Sequence, residues 1–184
     1  MNINEMAKKA FELYYAGNLD AALAFYYKIL SEDLNNSVNY YNVGLVYDSL
    51  REYELAVSFY KKSINIDSNN IRSINNLARI YIDEVKDYDI AQVYLNHAIE
   101  VAPNDAEAYN LFGNLWRING DYKLAIRYLQ KSIVYDKNYF KNYYDIALVY
   151  NIIGDKDNAI VNLKKSLELN PDFKDADELL QQIL

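Results

Sequence analysis

The sequence predicts an all-α solenoid in which five helix-turn-helix repeats stack and a short C-terminal helix covers the last of them. Three observations carry this. Ala22, Ala56, Ala91, Ala125 and Ala159 recur at intervals of 34, 35, 34 and 34 residues. A second column, Ala10, Gly44, Ala78, Gly113 and Ala147, keeps the same step and has its one 35-residue interval in the same copy. Within a period, apolar and small residues fall at helical spacing on either side of a polar break, as Tyr40, Val43, Gly44 and Tyr47, then Ala56, Tyr60 and Ser63, do around Arg51-Glu52. One such hairpin cannot bury its own apolar face, so the copies must stack.

The copies span residues 3–36, 37–70, 71–105, 106–139 and 140–173. The first departs from the rest, with Met6, Lys9 and Ile29 where the second has Tyr40, Val43 and Ser63, as an outward-facing terminal unit would. In the third, the extra residue lies between Ala78 and Ala91, most simply in the polar turn Asp83 to Asp89. Gly17, Gly120 and Gly154 stand just past the first helix of their copies, where a left-handed cap favours glycine. Asn18, Asp121 and Asp155 follow as candidate N-caps of the second helix. Gly or Ala in the two small-residue columns lets helix backbones approach closely, since a larger side chain would overpack the contact at a cost of about 1–3 kcal/mol. Residues 174–184, KDADELLQQIL, read as a capping helix whose Leu180 and Leu184 cover the fifth copy.

The order of residue types resembles the tetratricopeptide repeat. The fourth copy matches best, with Tyr109, Phe112-Gly113, Trp116, Ala125 and Leu129, while Pro103 in VAPND and Pro171 in LNPDF supply the closing proline of the third and fifth. The resemblance covers nearly the whole chain. It implies a right-handed superhelix whose first helices line a concave side, where partners bind as extended peptides or helices.

Carried onto the second copy, the groove positions are Val38, Tyr41, Asn42, Leu45, Asp48 and Ser49. Asn42 and Asn76 share one slot, Asn75 and Asn110 the neighbouring one, and Asn114 and Asn151 lie further along the same faces. This resembles the asparagine ladder by which some members grip a peptide backbone, a role suited to an amide because it both donates and accepts. In an Asn-rich chain the alternative is solvated asparagines left by composition. The groove charge is mixed, Arg72, Arg79, Arg117 and Lys141 being counted against Asp48, Asp83, Glu107 and Asp145, and the fourth copy carries five basic against three acidic residues. A modestly basic groove would favour a peptide with a carboxylate or two, and pairing between neighbouring repeats is the alternative. Phe11, Tyr14, Tyr15, Tyr41 and Tyr144 are candidate aromatic anchors. The first three together also suit self-association through the first repeat. At the positions where chaperone-binding members hold a C-terminal carboxylate this chain has Ala7, Phe11, Asn42, Arg72 and Asn76; only Asn42 agrees, so binding to chaperone tails is not expected.

Composition bounds the rest. A net charge of -7 and a sequence pI near 4.7 disfavour nucleic acid and anionic lipid. The absence of cysteine and of any run approaching roughly 20 apolar residues fits a soluble, cytoplasmic protein without membrane insertion. The one histidine, His97, has no second His and no Cys for metal ligation and falls in a slot expected to be exposed. Ser63, Ser132 and Ser166 recur in a small-residue packing column rather than as nucleophiles. No catalytic, cofactor-binding or metal-binding residue is assigned. The expectation is a non-enzymatic protein-interaction module that takes a peptide or helix of a partner in its groove, the alternative being a self-associating scaffold and thus a homo-oligomer.

Overall fold

The computed structural model describes residues 1–184 as helices joined by short turns. In order these are α1 (Ile3–Tyr15), α2 (Leu19–Glu32), α3 (Ser37–Ser49), α4 (Tyr53–Ile66), α5 (Ile71–Ile80), α6 (Tyr88–Val101), α7 (Ala106–Ile118), α8 (Tyr122–Tyr135), α9 (Phe140–Ile152), α10 (Lys156–Leu169) and α11 (Lys174–Ile183). The chain divides into two compact units, Met1–Tyr94 and Leu95–Leu184, with the division inside α6.

In the first unit α1 begins with a capping box: Asn2 accepts from the Glu5 N–H while Glu5 accepts from the Asn2 N–H. Asn36 and Asn70 cap α3 and α5 by accepting from the Val38 and Ser73 amides. Consecutive helices pack antiparallel in pairs, and Ala10, Ala22, Ala56 and Ala78 at the crossing positions are fully buried. Gly44 shows why the columns stay small: a Cβ there would stand 2.8 Å from two ring carbons of Tyr60, itself fully buried. Around these crossings Tyr26, Ile29, Leu30, Val43, Val46 and Phe59 form the core.

The second unit repeats the construction. Asp105 caps α7 by accepting from the Ala108 N–H at 2.7 Å, and Asp121 and Asp155 cap α8 and α10 as expected. Asn18, by contrast, makes no capping bond to α2, and Glu52 makes none to α4. Ala125, Leu129, Ile146 and Val149 fill the space between α8 and α9, and Ala147, Ala159, Leu163, Ala176 and Ile183 that between α9, α10 and α11. The C-terminal helix therefore docks through Ala176 and Ile183; Leu180 is half-buried, and Leu184, expected to cover the face, is 80% exposed because it lies beyond the last helical turn.

Three buried serines tie second helices to first helices. Ser63, Ser132 and Ser166 donate to the carbonyls of Ser37, Ala106 and Phe140, each 26 residues back, at 2.7–2.9 Å. That satisfies one of the acceptors available at the helix start and accounts for the recurrence without chemistry.

The turns explain the inserted residue. Gly17, Gly120 and Gly154 have φ of 77°, 80° and 81°, and Arg51 and Lys86 occupy the same left-handed slot at 62° and 63°. In four copies the N–H of the next residue reaches back five positions to a carbonyl, as Asn18 to Leu13 and Asp121 to Trp116 do. In the third copy Asp87 reaches back six, to Tyr81. The extra residue is taken up in a π-helical turn, Tyr81–Val85, that continues α5, rather than in a polar loop. Tyr81 and Ile82 stay buried through the wider turn, so the core contact survives the insertion.

Candidate functional site

Within each unit, the face of interest is formed by the first helices of its hairpins. In the first unit, α3, α4 and α5 bring Asp48, Tyr60, Asn76 and Arg79 together. Asp48 Oδ2 pairs with Arg79 Nη2 and accepts from the Tyr60 hydroxyl at 3.3 Å, and that hydroxyl accepts from Asn76 Nδ2 at 3.2 Å. Burial pushes the Tyr60 phenol up, and the negative charge of Asp48 adds to the shift. For Arg79, burial works against the charge, but the hydrogen bond and charge of Asp48 outweigh it and hold the guanidinium above its ordinary value.

In the second unit, α7 and α9 build a denser cluster around Asp145. Its Oδ2 accepts from Asn110 Nδ2 at 2.7 Å and from Asn114 Nδ2 at 3.3 Å. Asn114 also donates to Asn110, Arg117 Nε donates to Asn114 at 3.3 Å, and Asn110 donates to Asn142. Asn142, fully buried, donates to the Asp136 carbonyl. Burial pushes the Asp145 carboxyl up, against the pull of the two asparagine hydrogen bonds and the charges of Arg117 and Lys141.

The predicted residues thus separate into groups. Asn42 is partly buried on α3 and its amide makes no hydrogen bond within the chain. Asn76, Asn110 and Asn114 have their amides engaged by neighbours. Asn75 is 1% exposed and belongs to the packed face of α5, not to an accessible ladder; the slot turns inward there. Arg79 is occupied by Asp48 and Arg117 by Asn114, whereas Arg72 and Lys141 are exposed. Tyr41 lies against Tyr60, with ring centroids 5.9 Å apart, and Tyr144 against Phe173 at 4.9 Å, its phenol raised by burial and by Asp175 and Asp145. On α1, Phe11 and Tyr15 are 57% and 72% exposed with rings 4.4 Å apart, while Tyr14 is half-buried and shares a hydrogen bond with Ser49.

Two features escape the sequence pattern. By spacing Tyr60 is a packing residue, yet its hydroxyl joins Asn76 to Asp48; a tyrosine in a packing column opposite an Asp is the available signal. The positive balance of the fourth copy is not a groove property, because only Arg117 of its five basic residues lies on the first helix while Lys123, Arg127 and Lys131 lie on α8. His97 is partly buried, and no group of three or more His, Cys, Asp or Glu is placed to hold a metal ion. No helix is long and apolar enough to cross a membrane.

The sequence profile of the tetratricopeptide repeat matches residues 38–70, 71–105, 106–139 and 140–173. The chain is a tetratricopeptide repeat protein. Among relatives, it is 33% identical over 132 residues to the Photosystem I assembly protein Ycf3 of Rippkaea orientalis, a match covering 58% of this chain and 76% of that one. Among solved structures, it resembles TTC0263, a tetratricopeptide repeat protein of Thermus thermophilus, with a TM-score of 0.84 at 19% identity over 99% of this chain and 98% of that one. YrrB, described as a tetratricopeptide repeat protein with an unusual peptide-binding site, matches with a TM-score of 0.65 at 24% identity over 96% and 90% of the two chains. These likenesses show the all-helical solenoid fold expected from the period. As a tetratricopeptide repeat protein the chain has the architecture of a protein-interaction scaffold.

Proposed function

We propose that the chain is a non-enzymatic binding module that takes an extended segment or helix of a partner protein on its first-helix face, with Asn42 and Asn76 as the contacts on α3 and α5. The observation that carries this is the Asn42 amide: half-exposed on α3 and without a partner in the chain, it leaves both its donor and its acceptor to a ligand. Asn76 on α5 is oriented by the Tyr60 hydroxyl, so its amide is ordered before binding. Arg72, on α5 with Asn76, is the exposed cation left for a carboxylate on the partner. The peptide-binding site named for YrrB and the assembly role named for Ycf3 support a partner-binding reading.

The test is capture of the partner from native lysate with the full chain, identification by mass spectrometry, and titration of the purified partner. Asn42→Ala with Asn76→Ala should weaken binding by about tenfold or more, with stability lowered by no more than the loss of the one Asn76–Tyr60 hydrogen bond, about 1 kcal/mol. Undiminished binding overturns the reading. Asn110 is a different case: its amide holds Asp145, so Asn110→Ala should lower stability whether or not it contacts a ligand.

A second reading, self-association through α1, has its own observation in the exposed Phe11 and Tyr15 pair. Light scattering across a concentration series decides it. A monomer at high concentration removes this reading; an oligomer dissociated by Phe11→Ser with Tyr15→Ser supports it.

A further inference from the structure

We propose that the exposed face of α8 is a second docking surface, for an acidic segment of a partner protein. The helix carries Lys123, Arg127 and Lys131 one turn apart and contains no Asp or Glu. Each of the other second helices, α2, α4, α6 and α10, carries at least one acidic residue. In a chain of net charge -7 this concentration of one sign is an exception that its packing does not require. Lys123, Arg127 and Lys131 are all exposed and none takes part in an ion pair. α8 buries the opposite side, through Ala125, Leu129 and Ser132.

The cations sit on a shaped surface. A pocket of about 140 Å³ opens on this face, lined by Leu124, Arg127, Tyr128 and Lys131. Behind it the rings of Tyr135, Tyr109, Tyr128 and Phe112 follow one another, the first pair tilted and the other two stacked, with centroids 5.3, 6.2 and 4.8 Å apart, and Lys131 Nζ lies 5.0 Å from the Tyr109 ring centre. At the C-terminal end of the stripe Val134 is 78% exposed. The planar Arg127 fork suits a carboxylate bidentately, Lys131 and Lys123 offer charges one turn to either side, and the Leu124–Tyr128 wall accepts an apolar side chain. A segment with an acidic residue in each turn and an apolar residue between them meets all of these at once.

Nucleic acid fits less well. The stripe is one helix long, it is flanked by Asp121 and Asp136, and the charge of the whole chain repels a polyanion. A short acidic segment meets the local field without spanning the acidic remainder. The surface shares no residue with the proposed asparagine contacts, so either can stand if the other falls.

The test uses the full chain and fluorescence anisotropy with a labelled peptide of about 16 residues, long enough for marginal helix formation, carrying a glutamate in every turn with leucines between. Its counterpart has glutamine for each glutamate. The glutamate peptide should bind about tenfold more tightly, as three modest ion pairs would allow, and lose that advantage as salt rises toward about 0.5 M. Arg127→Glu with Lys131→Glu should erase the difference, and the milder R127Q with K131Q should reduce it; both pairs are exposed, and circular dichroism checks that they fold. Asn42→Ala with Asn76→Ala should leave it unchanged. Equal binding of the two peptides, or no loss in the charge-reversed variant, overturns the proposal. So does a DNA or RNA duplex of about 20 base pairs that outcompetes the peptide, or a dimer of the chain that dissociates in R127E/K131E while peptide binding does not change.

Discussion

Asp48→Ala is the perturbation whose outcome the structure constrains most. Asp48 is the acceptor shared by Arg79 and Tyr60, and its side chain is only 12% exposed while that of Arg79 is 31% exposed. An ion pair so placed lies between a surface bridge, worth about 0.2–1 kcal/mol, and a buried one, whose disruption costs about 3–5 kcal/mol because a charge is left uncompensated. Removing the carboxylate strands a part-buried guanidinium and a fully buried tyrosine's hydroxyl, so a loss of roughly 2–3 kcal/mol is expected. Arg79→Met removes the stranded charge and keeps the aliphatic packing, so it should cost less on its own, about 1–2 kcal/mol. The double variant should then be no worse than Asp48→Ala alone, a coupling of about 1–2 kcal/mol. Urea denaturation followed by circular dichroism measures the four proteins of the cycle. Strict additivity would refute the reasoning, since it would mean that Asp48 and Arg79 do not share an interaction. The same cycle bears on function: while paired with Asp48, Arg79 is unavailable to a ligand carboxylate, so Asp48→Asn should strengthen binding of a carboxylate-bearing peptide on this face.

Three further outcomes follow from particular contacts. Gly44→Ala gains about 1 kcal/mol of helix propensity but places a Cβ 2.8 Å from the Tyr60 ring, a clash of about 1–3 kcal/mol, so thermal denaturation should show no stabilisation and most simply a lower melting temperature. Asp145 has its folded-state carboxyl raised above the ordinary 3.8, chiefly by burial; its contribution to stability is fully present below that value and is lost as pH rises through the folded one. Asp145→Asn, which keeps an oxygen for Asn110 and Asn114, should therefore gain on the wild type across that window and lose the downward slope in a series of melts against pH. Ser132→Ala should cost about 1 kcal/mol by removing the hydrogen bond to Ala106, whereas Ser31→Ala, at an exposed hydroxyl on α2, should cost little in the same assay.

Helix hairpins, their period and their small-residue columns were legible because they follow from local rules. Helical spacing marks which side of a helix is apolar, and a crossing helix tolerates only Gly or Ala, so Ala10, Ala56, Gly44 and Gly113 announce themselves at fixed intervals. The left-handed turn residue was legible at Gly17, Gly120 and Gly154 but not at Arg51 and Lys86, which adopt the same φ without the residue type that signals it. The candidate site was legible by slot, not by state. Asn42, Asn75, Asn76 and Asn110 are one residue type in neighbouring positions, yet one amide has no hydrogen bond in the chain, one residue is buried and two amides are engaged, because each depends on partners up to 35 residues away.

By itself, then, the sequence determined the repeat unit, its helices and most of its buried contacts, since these depend on residue size and polarity at fixed spacing. Tertiary structure decided which polar groups are already satisfied. It gave Arg79 to Asp48, gathered Asn110 and Asn114 on Asp145, left Asn42 open, and showed three of the five cations of the fourth copy to stand unpaired on α8 instead of along the groove. The physical reason is that a hydrogen bond or ion pair is settled by a few tenths of an ångström between side chains on different helices, a distance that no pattern within one helix encodes.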